Sequence, residues 1–276
     1  MSRLGPTDLE YCLPRGAPPG SVYFYTHRFA PEGLADAQLA LQALLWEIRS
    51  IALDVSDPGV AMAKLAWWQQ ELQASLRPQS QHPVVRAAES TRLFTMLEAR
   101  RLQALQLASA AMIQRDSIPD REALLAVCES VGSAEAAMLC SLSSDRLQPG
   151  GLSAMGTALL LEQFSRRIHA TLPGGAWWVP LNDQARFGLT IANARAGREA
   201  DRVGAFLREI GEDMANRLSA AREAFGREHA PVGRVLRVMM TVLDRRALRL
   251  RKGPYAVARR PQVTELFQAW RAALPR

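Results

Sequence analysis

The side chains in this chain that can do chemistry are few, and most are scattered. The four histidines (His27, His82, His169, His229) and three cysteines (Cys12, Cys128, Cys140) form no H-x-x-x-H or C-x-x-C pair, so a zinc site is not expected. There is no G-x-S-x-G, no G-x-G-x-x-G and no phosphate-cradling G-K-[ST] loop, which leaves nucleophilic and nucleotide chemistry with little support. What does cluster is positive charge. The stretch "RVLRVMMTVLDRRALRLRKGPYAVARR" carries many arginines and one acid, Asp244. It reads first as an amphipathic helix with a solvated basic face. Contact with an anionic membrane surface comes second. Nucleic acid is not an expected partner, because no helix-turn-helix, finger or aromatic RNA-binding motif accompanies the charge.

The elements that would position any site are helical nearly throughout. Apolar spacing of three and four recurs, and period-two alternation is almost absent. Residues 1–20, "MSRLGPTDLEYCLPRGAPPG", read as an irregular arm without the apolar core of a signal peptide. A helix from Pro31 or Glu32 to about Ala52 follows. Ser56 or Asp57 caps the next, with Pro58 in its first turn. One long helix is expected from Pro83 towards "RDSIPD", another from Arg121 to Leu142, a loop at "DRLQPGG", and a helix from about Ser153 to His169. "AWWVPLNDQARFGLT" reads as a connection. Val203, Phe206, Leu207, Ile210, Met214, Leu218, Ala221 and Phe225 then form one apolar stripe. The basic helix and a final helix to Leu274 complete a single domain, residues 21–276.

Length and composition agree with that reading. The chain has 276 residues, 48% hydrophobic and 22% charged, enough for a full core, and a net charge of +7. No run of about 18 apolar residues is present, so no membrane-spanning helix is expected. Three sparse cysteines suit a reducing cytosol. The expected location is cytoplasmic, peripheral on the inner face of a membrane if the basic helix binds lipid.

The order of several segments is more telling than any one of them. "SVYFYTHRFAPEG", "ALQALLWEIRSIALDVSDPGVAMAKLAWWQQEL", "HPVVRAA", "VCESVGSAEAAMLC", "MGTALLLEQFSRRIHATLPGGAWWVPLNDQARFGLT" and "DRRALRLRKGPYAVARRPQVTELFQAWRA" together resemble the squalene/phytoene synthase family. This is the head-to-head branch of the trans-isoprenyl diphosphate synthases. The resemblance runs from about Ser21 to Ala273. It implies an all-α, isoprenoid-synthase-like helical bundle around a central cavity. Active members condense two prenyl diphosphates. Two motifs with aspartates at i and i+4 hold Mg²⁺ at the cavity mouth, where the metal neutralises the leaving diphosphate.

This chain departs from the family at those motifs. Where the first leading aspartate pair is expected stand Arg49 and Ser50, and where the next aspartate is expected stands Leu53. Asp54 takes the neighbouring acidic position, and Trp46 replaces an upstream arginine. In the second motif Arg166 is kept, Arg167 stands for the first aspartate and Thr171 for the second, with His169 between. The resemblance therefore implies a cationic site of Arg49, Arg166 and Arg167 that could hold a phosphate directly but could not recruit Mg²⁺. No metal and no cofactor are expected, Mg²⁺ returning only if the chain is an active prenyltransferase with carboxylates from elsewhere. The departures also resemble a divergent branch of the family that includes a mitochondrial respiratory complex I assembly factor.

Other candidates carry two readings each. Tyr23, Tyr25 and Arg28 lie where the family places polar residues of the cavity mouth; interhelical hydrogen bonding is the rival. Lys64 is a candidate phosphate contact or a solvated lysine. Arg49 and Arg167 could instead pair with Glu47, Asp54 or Glu162 and seal the mouth. His169 reads as a helix-end histidine before it reads as a proton-transfer group. Of Trp67 and Trp68, one is expected inward and one over a neighbouring helix; Trp177 and Trp178 read first as core packing and second as the lining of a cavity. The expected partners are a prenyl diphosphate or other isoprenoid, an anionic membrane, or a protein.

Overall fold

Prolines and short polar side chains set the helix starts. Asp57 Oδ1 accepts from the Val60 N–H at 2.8 Å, Asp120 Oδ1 from Ala123 N–H at 2.9 Å and Ser21 Oγ from Phe24 N–H at 2.9 Å, each satisfying a donor that the first turn leaves free. The computed structural model describes residues 4–74, 80–114, 117–142, 149–168, 177–227, 233–252 and 262–274. Among these are fourteen helices and no strand. They are α1 (Pro6–Gly16), α2 (Val22–Arg28), α3 (Ala35–Asp54), α4 (Pro58–Ala74), α5 (Pro83–Ser90), α6 (Leu93–Met96) and α7 (Ala99–Ile113). Then come α8 (Arg121–Ser141), α9 (Pro149–Arg167), α10 (Leu181–Phe187), α11 (Ile191–Arg195), α12 (Ala200–Arg227), α13 (Arg234–Lys252) and α14 (Val263–Ala273).

The core is a stack. Helix α9 lies between α8 and α12, α12 packs on α13, and α13 carries α2 and α14. On the other flank α3 packs on α1, α5 and α7, with α4 on α3 and α7. All eight residues of the α12 stripe are buried, as expected. The α8–α9 crossing is the tightest: a Cβ on Gly132 would lie 2.1 Å from the Gly156 carbonyl oxygen, and one on Gly156 2.0 Å from that of Gly132. Backbone meets backbone there, so neither position admits a side chain. Helix α8 is long and apolar enough to cross a membrane, and it is the core helix, most of its apolar stretch buried.

Several expectations are corrected. The N-terminal segment is not irregular: α1 occupies Pro6–Gly16 and seats a fully buried Cys12 on α3 and α5. Pro6 sits at the helix start, where its missing N–H costs nothing, and Gly16 comes close enough to α3 that a Cβ would stand 2.7 Å from Leu39 O. The helix expected from Pro83 is three pieces, broken where Arg92 takes a left-handed φ of 58° and where Leu97 is extended. The Thr91 hydroxyl supports the first break by donating to Ala87 O at 2.8 Å. Pro149-Gly150-Gly151 is not loop but the first turn of α9, and a Cβ at Gly151 would stand 2.4 Å from the Phe225 ring of α12. The "VPLNDQARFGLT" connection contains α10, ended by Gly188 at φ 64°. Helix α13 buries its apolar side against α12 and α14, and Arg246 turns inward with it.

Candidate functional site

The two segments where the resemblance places aspartate motifs end α3 and α9, and their charged side chains form ion pairs. Arg49 points into the core, where its Nη1 donates to Glu135 Oε1 of α8 at 2.6 Å. Tyr23 of α2 donates its hydroxyl to the other oxygen, Oε2, at 2.7 Å. All three side chains are buried, and the Arg49 guanidinium also stands 5.8 Å from the Tyr23 ring centre. Burial opposes the charge on Arg49, but the adjacent Glu135 carboxylate outweighs it and the guanidinium is held charged more firmly than in water. Burial pushes the Tyr23 phenol well up, and Glu135 pushes it further. Leu53, four residues on, is buried. The Ser50 hydroxyl donates back to Glu47 O at 3.0 Å.

Arg167 forms a two-pronged pair with Asp54, its Nη2 at 3.2 Å from Oδ2. Arg49 and Asp54 are five residues apart on α3, about 140° around the helix axis. Arg49 and Arg167 therefore sit on different sides of α3, and the expected cationic cluster does not assemble. Arg166 also turns elsewhere, donating to Gly20 O at 2.6 Å with Glu162 at 3.7 Å. Arg246 donates to Gly20 O at 2.6 Å as well and pairs with Glu162 and Glu265. Of the partners expected to seal the mouth, Asp54 takes Arg167 and Glu162 takes Arg166 and Arg246. The partner of Arg49, Glu135, is one the sequence reading missed. His169 and Thr171 lie outside the described residues.

The remaining candidates divide. Tyr25 is buried and its hydroxyl accepts from the Gln262 N–H at 3.0 Å, an interhelical role. Arg28 is exposed at the end of α2. Lys64 is exposed and lines an open cleft of about 500 Å³ between α1, α3 and α4. It is also lined by Glu47, Ser50, Ile51, Asp54 and Val55, and by Tyr11, Arg15, Trp46, Trp67, Trp68 and His82. Trp68 is buried and Trp67 half exposed, as their adjacent positions required. Tyr11 donates to Glu47 at 2.7 Å, and Arg15 lies 3.7 Å over the Tyr11 ring and 3.1 Å from the same carboxylate. Burial and the hydrogen bond to Glu47 push the Tyr11 phenol up to about 12. His82 caps α5 by accepting the Val84 N–H at Nδ1, 3.3 Å away, and burial lowers its pKa. With Arg15 on Glu47 and Arg167 on Asp54, Lys64 is the cation of this cleft without an acidic partner among the described residues.

On the far side of Arg167 is a small cavity of about 30 Å³, lined by Leu161, Phe164, Trp177, Trp178 and Phe206 among others. Trp178 stacks on Phe164 with ring centres 5.2 Å apart. The space would hold about one water, not a prenyl chain.

At the described motif positions the residues do not fit the family's Mg²⁺. The hard anionic oxygens it needs are replaced by a buried guanidinium at 49 and an aliphatic chain at 53, and Asp54 is already held by Arg167. No cluster of three or more His, Cys, Asp or Glu side chains suited to a metal occurs among the described residues. The "VPLNDQARF" segment, specific in sequence, is spent on the fold. Leu181 N–H donates to Ile118 O at 2.8 Å, and the buried Asp183 pairs with Arg121 at 3.1 Å and Arg186 at 2.9 Å.

Comparison with known proteins places this arrangement. The chain is similar in structure to the squalene synthase HpnC from Alicyclobacillus acidocaldarius, with a TM-score of 0.66 and 19% identity over 90% of this chain and 96% of that one. It is similar to a dehydrosqualene synthase in complex with ligand, with a TM-score of 0.69 and 15% identity over 97% and 95% of the two chains. No curated protein matches the chain. The model of the squalene/phytoene synthase family matches residues 19–274, and the chain belongs to that family.

Proposed function

We propose that this protein is a squalene/phytoene synthase-family member that has lost Mg²⁺-dependent condensation of prenyl diphosphates. It would serve as an isoprenoid- or phosphate-binding module, or as a protein-interaction module in the manner of an assembly factor. The observation that carries the reading is the buried Arg49–Glu135 pair with Tyr23. A guanidinium stands where the family's chemistry needs a carboxylate, and its neighbours are arranged to keep it there. The arginines that could have met a diphosphate are each engaged within the protein. The open cleft beside Lys64 favours ligand binding over a purely structural role. Its aromatic lining suits an apolar body, and its one spare cation suits a single anionic group.

A second reading, a prenyltransferase condensing two prenyl diphosphates head-to-head, is favoured by the family itself and by the likeness to two synthases. Incubation with farnesyl diphosphate, Mg²⁺ and NADPH separates the two. No release of pyrophosphate above a protein-free control is expected. Turnover that a chelator abolishes would establish the second reading and remove the first. Calorimetric titration with farnesyl diphosphate in chelator tests the binding half: heat that disappears in Lys64→Glu supports the cleft, and no heat leaves the interaction role.

A further inference from the structure

Helix α14 shows the solvent an apolar face that no other described residue covers. Val263, Phe267 and Trp270 of α14 and Leu274 at its C-cap are 83%, 55%, 48% and 44% exposed, an unusual set for one short helix and its end. Their spacing of four, three and four puts them within about 60° of one another around the helix axis. The rings of Phe267 and Trp270 lie 5.7 Å apart, so they form one surface. The opposite side of the helix, with Glu265, Ala269 and Ala273 buried, is fixed against α13. The face is therefore presented ready-made, with no folding cost on docking.

One flank of the stripe is basic. A groove of about 420 Å³ between α13 and α14 is lined by Arg245, Leu248, Arg249, Lys252, Thr264, Glu265 and Gln268. Arg249 is occupied by Glu265 at 2.9 Å. Arg245 and Lys252 are exposed and form no ion pair among the described residues; nor does Arg271, exposed on α14 itself. The single acid of α14, Glu265, is buried and neutralised by Arg246 and Arg249. The outward face of α14 thus combines aliphatic and aromatic side chains with flanking cations and no anion.

We infer that this face docks on an anionic lipid bilayer. Phe267 and Trp270 would enter the boundary between headgroups and acyl chains, with α14 lying in the plane of the surface. Arg245, Lys252 and Arg271 would meet lipid phosphates, Arg245 and Lys252 from the groove. A bilayer fits better than a protein groove because the apolar stripe is exposed along the whole helix and is bordered by long-chain cations with no exposed acid on α14. The basic helix α13 supplies only the charge, since its own apolar side is committed to the core. The surface shares no residue with the cleft, so its test reads separately from the proposed function.

The test is flotation of the full chain with vesicles of phosphatidylcholine alone or with about 30% phosphatidylglycerol. Binding is expected to the anionic vesicles and to weaken as salt is raised. The double variant Phe267→Ser/Trp270→Ser should lower it at least about tenfold, while Trp270→Phe retains most of it. Arg245→Glu and Lys252→Glu should each lower it by about fivefold or more. These side chains are exposed, so the variants should melt with the parent. Equal flotation on both vesicle types, or binding by the Phe267/Trp270 variant as tight as the parent's, would overturn the inference. So would a dimer in sedimentation that the same variant dissolves without any flotation, which would assign the face to a second copy.

Discussion

Replacing Glu135 with leucine should be among the most damaging single changes in the chain. Leucine keeps much of the shape and removes the charge. Arg49 then remains buried without its carboxylate, 2.6 Å away in the parent, and Tyr23 loses the acceptor at 2.7 Å. An arginine cannot escape by releasing its proton. Removing one member of a buried pair costs about 3–5 kcal/mol. For a chain of this length one kcal/mol moves the melting temperature by about 2 °C, so Glu135→Leu should melt about 6–10 °C lower. The triple variant Tyr23→Phe/Arg49→Met/Glu135→Leu removes every polar member. It should recover most of the loss, because a buried pair exchanged whole for apolar groups is close to neutral. The measurement is calorimetry together with urea unfolding of the single, double and triple variants, read as a thermodynamic cycle. A coupling of at least about 2 kcal/mol between positions 49 and 135 is expected. Strictly additive losses, or a Glu135→Leu protein that melts within about 2 °C of the parent, would refute the reasoning and leave Arg49 available to a ligand.

Three further outcomes follow from the packing. Gly156→Ala should abolish folding or cost upwards of about 3 kcal/mol, because its Cβ would lie 2.0 Å from a backbone oxygen; urea unfolding reads this, with exposed Gly226→Ala as the harmless control. The native thiols should resist iodoacetamide at pH 8: burial pushes Cys12 up to about 12 and Cys128 well above the ordinary range, and Cys140 is buried, so mass spectrometry should find all three labelled only in denaturant. Burial lowers the pKa of His82 and of His27, so the unfolded chain binds more protons below pH about 6.5 and stability should fall as pH drops through that value; His82→Gln should flatten part of the slope in melts taken between about pH 5 and 7.

The long elements were legible because periodicity needs length. Helix α8 begins at Arg121 as its Asp120 cap and apolar run require, and the α12 stripe is buried at every expected position. Helices α2 and α10 have seven residues each, two turns at most, too short for a period of 3.6 to declare itself. The departure from the expected aspartates could be read directly from Arg49 and Leu53. The partner of Arg49 could not, since Glu135 lies 86 residues away. Its trace was there all the same: Glu135 shares the buried face of α8 with Val131, Met138 and Leu139, and a lone carboxylate on such a face needs a cation. The cleft was hidden for a different reason. Tyr11 and Arg15 are neighbours only on a helix, and Pro6, Pro14 and the Pro-Gly run after Gly16 disguised α1 as an arm.

The position of α1 also bears on where the protein can be cut. The residues matched by the family model begin at 19, whereas the packed unit includes Leu4 and the fully buried Cys12. An expression boundary drawn at the match would strip one wall from the cleft and uncover the faces of α3 and α5 beneath it. It would also remove Asp8, the carboxylate that holds Arg86 at 2.5 Å. A shortened protein that aggregates or fails to bind would then report the missing helix, not the properties of the family fold.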